Sequence, residues 1–286
     1  MKWLLPAALL VVICSPTSAQ LQHGTVAVVY FTKGKIVVAA DSRQLTSGDA
    51  PPDDTVCKIA TPHGKLVFVS SGTVGYKSLD DRDSVQSWTN IEEVHRAYDK
   101  ASLQYSTDYD RFSGTAWEWG NSISAHFESL LLANPGSVRA DGGKSGVLTQ
   151  SFMGWLESDG APMLLYTRIV FHDGPFPSIS HETIPVLHDC GLVKPYCPIG
   201  HEEIVTEFVN LTSERAKQEA NTWMPPKNSR PADYDLLKTK RLVDLTIQYH
   251  VPKAGRPSEV GGKIDAVEMD TGGSMRWFVK ENCAKD

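Results

Sequence analysis

Two β-branched runs, Thr25 to Phe31 and Lys35 to Ala40, stand on either side of Lys33-Gly34. Runs rich in Val, Ile and Thr that are separated by a glycine-containing pair predict a β-hairpin. Two more strands are expected near Cys57 to Ala60 and Lys65 to Ser70, parted by His63-Gly64, so the chain opens with antiparallel sheet. Val85, Trp88, Ile91, Val94 and Tyr98 then recur at helical spacing, as do Ala116, Gly120, Ile123, Phe127 and Leu130. These predict two amphipathic helices, with the polar stretch Asp108 to Ser113 as a loop between them and Asn134-Pro135-Gly136 ending the second.

A second group of strands is expected at Thr149 to Trp155, Pro162 to Ile169 and Glu182 to Leu187, with a turn at Ser158-Asp159-Gly160. Two further helical stripes follow, one marked by Ile204, Val205 and Phe208 and the other by Leu236, Lys240, Val243 and Ile247. The chain closes with Lys263 to Met269, a turn at Thr271-Gly272-Gly273, and Met275 to Lys280. Strands, two helices, strands, two helices and a hairpin exclude a simple alternating βαβ fold. Two packed sheets with helices outside would bury both groups of strands. The Pro-rich patch from Pro225 to Pro231 reads as a loop between helices.

Ahead of the first hairpin, Lys2 precedes an apolar run from Trp3 to Cys14 and the small-residue stretch Thr17-Ser18-Ala19. That pattern predicts a secretory signal over residues 1–19, too short to remain as a membrane span. Ile13 stands before Cys14, where a lipoprotein cleavage site needs a small side chain. The expected location is therefore secreted or periplasmic, with no membrane partner after signal removal.

The chain carries 28 basic and 34 acidic residues, a formal net charge of −6, and its Lys and Arg form no cluster able to track phosphates. A nucleic-acid partner is not expected. Outside the signal stand Cys57, Cys190, Cys197 and Cys283, and export favours their oxidation. Cys190 and Cys197 are the favoured pair, although four cysteines allow three pairings. His188-Asp189-Cys190 and His181 match no standard zinc spacing, so no metal site is expected. Ser70-Ser71-Gly72 lacks the glycine pattern of a nucleophile elbow.

The most informative stretch is Gly24-Thr25-Val26-Ala27-Val28-Val29, followed by Lys35 to Ala40, Asp41-Ser42-Arg43 and Cys57-Lys58-Ile59. Singly, these residues are ordinary: a Thr opening a strand, a polar turn, a solvated Lys. Their joint spacing resembles the 20S proteasome β subunits and their bacterial relatives, which are N-terminal-nucleophile (Ntn) hydrolases. The resemblance implies a four-layer αββα sandwich of two antiparallel sheets flanked by helices, occupying residues 25–286, and no cofactor. It also implies a threonine-type peptidase or amidase acting on a peptide or amide substrate, with self-assembly into rings as a weaker expectation.

Residue by residue, Thr25 matches the nucleophile, Asp41 the aspartate after the second strand, and Lys58 the lysine opening the third. Arg43 would support Asp41, and Gly72, in Ser71-Gly72-Thr73, matches the glycine whose N–H helps form the oxyanion hole. The chemistry is coherent. A threonine hydroxyl needs a base, and a free α-amine on the same residue has a pKa of ~8 and is poised to serve. A neighbouring Lys⁺ depresses both the amine and the hydroxyl, and an Asp compensates that Lys. The amine exists only if residues 20–24 are removed as a short propeptide by a cut at Gly24-Thr25, which the family makes autocatalytically after Gly.

The sequence departs from the family at two segments. Gly200-His201-Glu202 places His201 where the family has a serine, and Arg256 to Gly262 places Pro257 and Val260 at its Asp and Ser. Three readings follow: a working site in which His201 or Ser258 supplies replacement hydrogen bonds, a site for a different amide, or a non-catalytic exported binding or structural protein with the same fold.

Overall fold

The computed structural model describes residues 20–23, 25–46, 51–78, 85–142, 146–186, 195–226, 229–252, 257–279 and 283. In chain order the elements begin with β1 (Gln20–His23), β2 (Ala27–Thr32), β3 (Lys35–Asp41), β4 (Leu45–Thr46), β5 (Ile59–Ala60), β6 (Val67–Lys77) and β7 (Trp88–Thr89). Then come α1 (Asn90–Gln104), α2 (Asp108–Ala133), α3 (Pro135–Gly142), β8 (Val147–Leu156), β9 (Pro162–His172), β10 (Ser178–Val186) and β11 (Tyr196–Ile199). The chain finishes with α4 (Glu202–Asn210), α5 (Glu214–Thr222), α6 (Tyr234–Tyr249), β12 (Ile264–Asp270) and β13 (Met275–Val279).

The strands form two antiparallel sheets. The larger runs β10-β9-β8-β6-β1-β4, with β5 and β7 also paired to β6, and the smaller runs β11-β2-β3-β12-β13. Because successive side chains of a strand point to opposite faces, the apolar runs divide between neighbouring cores. Ile36, Val38 and Ala40 of β3 join Ala27 and Val29 of β2 against Val67 and Val69 of β6, between the two sheets. Val37 and Ala39 turn the other way, against Val205 of α4 and Leu236 and Val243 of α6. On the far side of the larger sheet, Phe68 of β6 meets Val94 of α1 and Trp119, Ile123 and Phe127 of α2. The Phe68 and Trp119 ring centroids are 5.3 Å apart.

Several boundaries differ from the sequence reading, each for a local reason. Asp108 to Ser113 is not a loop but the start of α2. Thr107 Oγ1 accepts from Asp110 N, and Asp108 and Asp110 lie in the first turn, so the polar residues there cap the helix and complement its dipole. Trp88 does not belong to the first helix, because β7 pairs with β6 and Thr89 then caps α1. Periodicity did not expose α3, which opens with Pro135, or α5, whose buried residue is Ala216 alone. The short β11 pairs with β2 across Tyr196↔Tyr30 to Ile199↔Ala27. Residues 20–23, expected only as a removable propeptide, form a strand between β6 and β4, with Leu21 buried.

One cysteine pair is defined, and it is the one that the expected Cys190–Cys197 pair would leave over. Cys57 bonds Cys283, joining positions 226 residues apart. Cys197 is disulfide-bonded too, and its expected partner Cys190 lies outside the described residues, as do His188 and Asp189. Among the described residues, no helix is long and apolar enough to cross a membrane, and no group of three or more His, Cys, Asp or Glu side chains is arranged to hold a metal.

Two outcomes check the packing. Phe68→Ala, at a fully buried position, is expected to cost about 3–5 kcal/mol in denaturant unfolding, whereas Leu103→Ala, at a position 90% exposed, should stay within about 0.5 kcal/mol. His181 of β10 packs on Gly120 of α2, and burial pulls its pKa below the ordinary 6.5. The unfolded chain therefore takes up the proton first as pH falls. This residue's contribution is intact above pH 6.5 and declines below it, so His181→Asn should flatten the acid limb of the stability profile measured by thermal unfolding.

Candidate active site

Thr25 lies on the segment where the chain passes from the larger sheet, which it leaves at His23, to the smaller one, which it joins at Ala27. It is buried, 4% exposed. Beside it, Asp41 ends β3. The register of the hairpin brings the start of β2 opposite the end of β3, pairing Ala27 with Ala40. Val26 N donates to Asp41 Oδ1 at 3.0 Å, and Asp41 N donates to Val26 O at 3.2 Å.

Lys58 immediately precedes β5 and reaches the same carboxylate. Its Nζ lies 2.9 Å from Asp41 Oδ1, with both side chains fully buried, and it also donates to Arg43 O. Burial lowers the Lys58 pKa, and the Asp41 charge opposes that shift without cancelling it. The other carboxylate oxygen, Asp41 Oδ2, accepts from Gly261 N at 2.9 Å. One buried carboxylate thus takes an ammonium and two main-chain N–H groups.

Arg43 is placed differently from expectation. Its guanidinium forms a two-pronged pair with Asp54, Nε to Oδ1 at 2.6 Å and Nη2 to Oδ2 at 2.7 Å, and reaches Val260 O at 3.5 Å. Asp54 receives the hydrogen bonds, which hold its carboxyl below the usual range, while Asp41 feels the Arg43 charge only through space. Arg43 meets Lys58 through its carbonyl alone. Asp54 was invisible to the sequence reading because it lies in an irregular stretch without hydrophobic periodicity.

Gly72, on β6, has φ +85°, and a Cβ there would stand 2.6 Å from Leu148 O. Both the left-handed backbone and the close approach require glycine. Gly200 was missed by the motif reading as a residue in its own right. It has φ +92°, and a Cβ there would come within 2.0 Å of Thr25 O, so only glycine lets the β11–α4 turn close over Thr25.

The departures from the family pattern have definite places. The His201 ring packs on His250, centroids 4.2 Å apart, and lies 3.5 Å from a Glu203 carboxylate oxygen and 3.9 Å from one of Glu259. Ser258 Oγ donates to Val260 O at 2.8 Å, closing a turn within its own loop. Val260 is buried among α4 and α6, and Pro257 is exposed. The disulfide of Cys57 ties the residue immediately before Lys58 to Cys283.

No family model and no curated protein matches the chain. Solved structures that match include Anbu (Gly-1 mutant) from Hyphomicrobium sp. strain MC1, 16% identical, covering 88% of this chain and 85% of that chain, with a TM-score of 0.48. They also include Anbu (ancestral beta-subunit) from Yersinia bercovieri, 12% identical, covering 91% and 89%, with a TM-score of 0.49. The resemblance to 20S proteasome β subunits is corrected on this point: these matching structures are Anbu proteins. At such identities and TM-scores the likeness assigns the chain neither a family nor an activity.

The carboxylate and the ammonium differ in what their loss leaves behind. Asp41→Ala strands a buried Lys58 charge and two N–H donors, so it should destabilise the protein by about 3–5 kcal/mol in denaturant unfolding. Lys58→Met leaves Asp41 with two N–H partners and should cost less in the same measurement.

Proposed function

We propose that this chain is an exported threonine-type N-terminal-nucleophile hydrolase, a four-layer αββα sandwich over residues 25–286, that cuts its own Gly24-Thr25 bond and then cleaves peptide or amide bonds. The observation that carries this reading is the buried Lys58–Asp41 pair, joined through Val26 N to the residue next to Thr25. Burying an ammonium and a carboxylate costs several kcal/mol each before pairing returns any of it. A pair hydrogen-bonded to the residue after a buried threonine, at the junction of two sheets, would serve as a pKa-setting device, and perturbed titratable groups of this kind concentrate at reactive sites.

In the first reaction Thr25 Oγ1 adds to the Gly24 carbonyl, the Gly24–Thr25 C–N bond breaks as nitrogen takes a proton, and water hydrolyses the resulting ester. The products are a Gly24 carboxylate and a Thr25 with free hydroxyl and amine. In the second, the amine takes the hydroxyl proton while Lys58⁺ lowers the pKa of both groups, Asp41 fixes Lys58, and the Gly72 N–H receives the developing oxyanion. Arg43 acts at one remove by holding the Asp54 carboxylate and the Val260 carbonyl around the pair. No cofactor enters either reaction.

The placement of β1 supports a peptide as substrate. Residues 20–23 lead to the scissile bond as an extended strand hydrogen-bonded between β6 and β4. Once they depart, the gap between those strands fits another extended chain by strand addition. The signal over residues 1–19 and the Cys57–Cys283 bridge fit an oxidising location outside the cytoplasm, and the negative net charge fits no nucleic-acid partner. The same β1 pairing favours one rival: a non-catalytic exported protein that keeps its N-terminal strand as a permanent part of the sheet.

Intact mass and N-terminal sequencing of the exported protein decide between them. The wild type is expected to begin at Thr25 and Thr25→Ala at Gln20. Both proteins beginning at Gln20 would establish the rival.

A further inference from the structure

We propose that Thr149 and Asn90 are positioning residues that lock the Gly72 peptide unit and so aim its N–H at the oxyanion; the inference rests on the hydrolase reading of Thr25. Gly72 sits in a left-handed conformation inside an otherwise extended strand, a state glycine enters and leaves easily. Something must hold it there, and the carbonyls on either side of it are both gripped by side chains. Thr149 Oγ1, on β8, donates to Ser71 O at 2.8 Å. Asn90 Nδ2, at the first residue of α1, donates to Thr73 O at 3.1 Å and to Thr149 Oγ1 at 3.2 Å.

The geometry of a peptide unit makes the first of these bonds directional. Ser71 C=O and Gly72 N–H belong to the same planar group and point in opposite directions, so holding the oxygen toward β8 turns the N–H away from β8. On the other side of β6 lies β1, whose His23 pairs with Thr73, and that is the strand leading into Thr25. The clamp is buried: Asn90 and Thr149 are both 0% exposed. The Asn90 amide has a defined orientation, because the reversed amide would set its oxygen against Thr73 O. Trp119 Nε1 donates to Asn90 O at 3.3 Å, which ties the clamp to α2 as well as to α1.

A donor held in advance serves catalysis because nothing needs to reorganise as charge develops. Loss of the clamp should therefore weaken stabilisation of the transition state and leave ground-state binding unchanged. Thr149→Val keeps the shape and removes the hydroxyl, Thr149→Ser restores the hydroxyl without the methyl group, and Asn90→Ala removes the second bond.

The test follows self-cleavage at Gly24-Thr25, hydrolysis of a fluorogenic peptide amide bearing Gln-Leu-Gln-His-Gly, and affinity for the boronic acid of the same peptide, whose tetrahedral adduct mimics the oxyanion. Thr149→Val should lower kcat and boronate affinity together by about 10- to 100-fold, less than the ~10²–10³-fold loss of an oxyanion donor itself. KM should stay within about threefold, Thr149→Ser should recover most of the loss, and Asn90→Ala should act in the same direction. Unchanged kcat and boronate affinity in Thr149→Val, beside an active wild type, would overturn the clamp alone. So would a loss carried in KM, or one that Thr149→Ser does not repair. A wild type that neither self-cleaves nor binds the boronate would overturn the hydrolase reading and the clamp with it.

Discussion

The carboxylate of Asp41 is the point on which the arrangement around Thr25 depends. It accepts the Lys58 ammonium and the N–H groups of Val26 and Gly261, so one side chain joins the start of β2, the end of β3, the approach to β5 and the loop before β12. Hydrogen bonds to a charged group contribute about 1.5–3 kcal/mol each, and an unpaired charge at full burial is prohibitive. Each of the four segments is therefore held in register by a group that tolerates no vacancy. The Cys57–Cys283 bridge reinforces one of them from outside, one residue before Lys58.

That dependence explains which parts of the molecule were legible in the sequence. The β2–β3 hairpin, α4, α6 and the β12–β13 hairpin stood out because each has apolar residues at one period and a turn or cap at its end. The elements that escaped have little apolar surface of their own. In α5 the buried residue is Ala216, and β7 has two residues. The first turn of α2 was hidden by its own caps, since the Thr and Asp residues that satisfy free N–H groups have the composition of a loop. The site divides the same way. Thr25, Asp41 and Lys58 lie at the ends of apolar runs; strand register sets the start of β2 opposite Asp41, and Lys58 reaches Asp41 from beside the other sheet. Gly200 and Gly261 act through the backbone, and Asp54 through an irregular segment, so no side-chain pattern announced them.

The N-terminal strand changes the meaning of a short leader. A propeptide without structure would leave Gly24-Thr25 free to adopt many geometries, with an entropic cost to every productive one. Here the four residues before Gly24 are paired with β6, Gln22 and His23 are paired with β4 as well, and Leu21 is packed into the core beneath α1 and α2. The Gly24–Thr25 bond, which the proposed self-cleavage would cut, follows β1 of the larger sheet and precedes β2 of the smaller. Both flanks are fixed by strand pairing, and under the proposed self-cleavage that is the condition in which proximity would lower a barrier.

The same logic bears on the departures at Pro257 and Val260. That loop serves the site with main-chain atoms: Gly261 N donates to Asp41, and Val260 O accepts from Arg43. Main-chain groups are present whatever the side chains are, so Pro257 and Val260 leave the coordination of Asp41 intact, and Val260 adds apolar burial against α4 and α6. His201 and Ser258 have other engagements, His201 with His250 and the neighbouring acidic residues, Ser258 with Val260 in its own turn. On the proposed reading the charge available to Thr25 would come chiefly from Lys58, whose pKa is lowered by the burial of the pair. The packing that keeps water from Lys58 and Asp41, both fully buried, therefore matters more to that reading than additional polar side chains do.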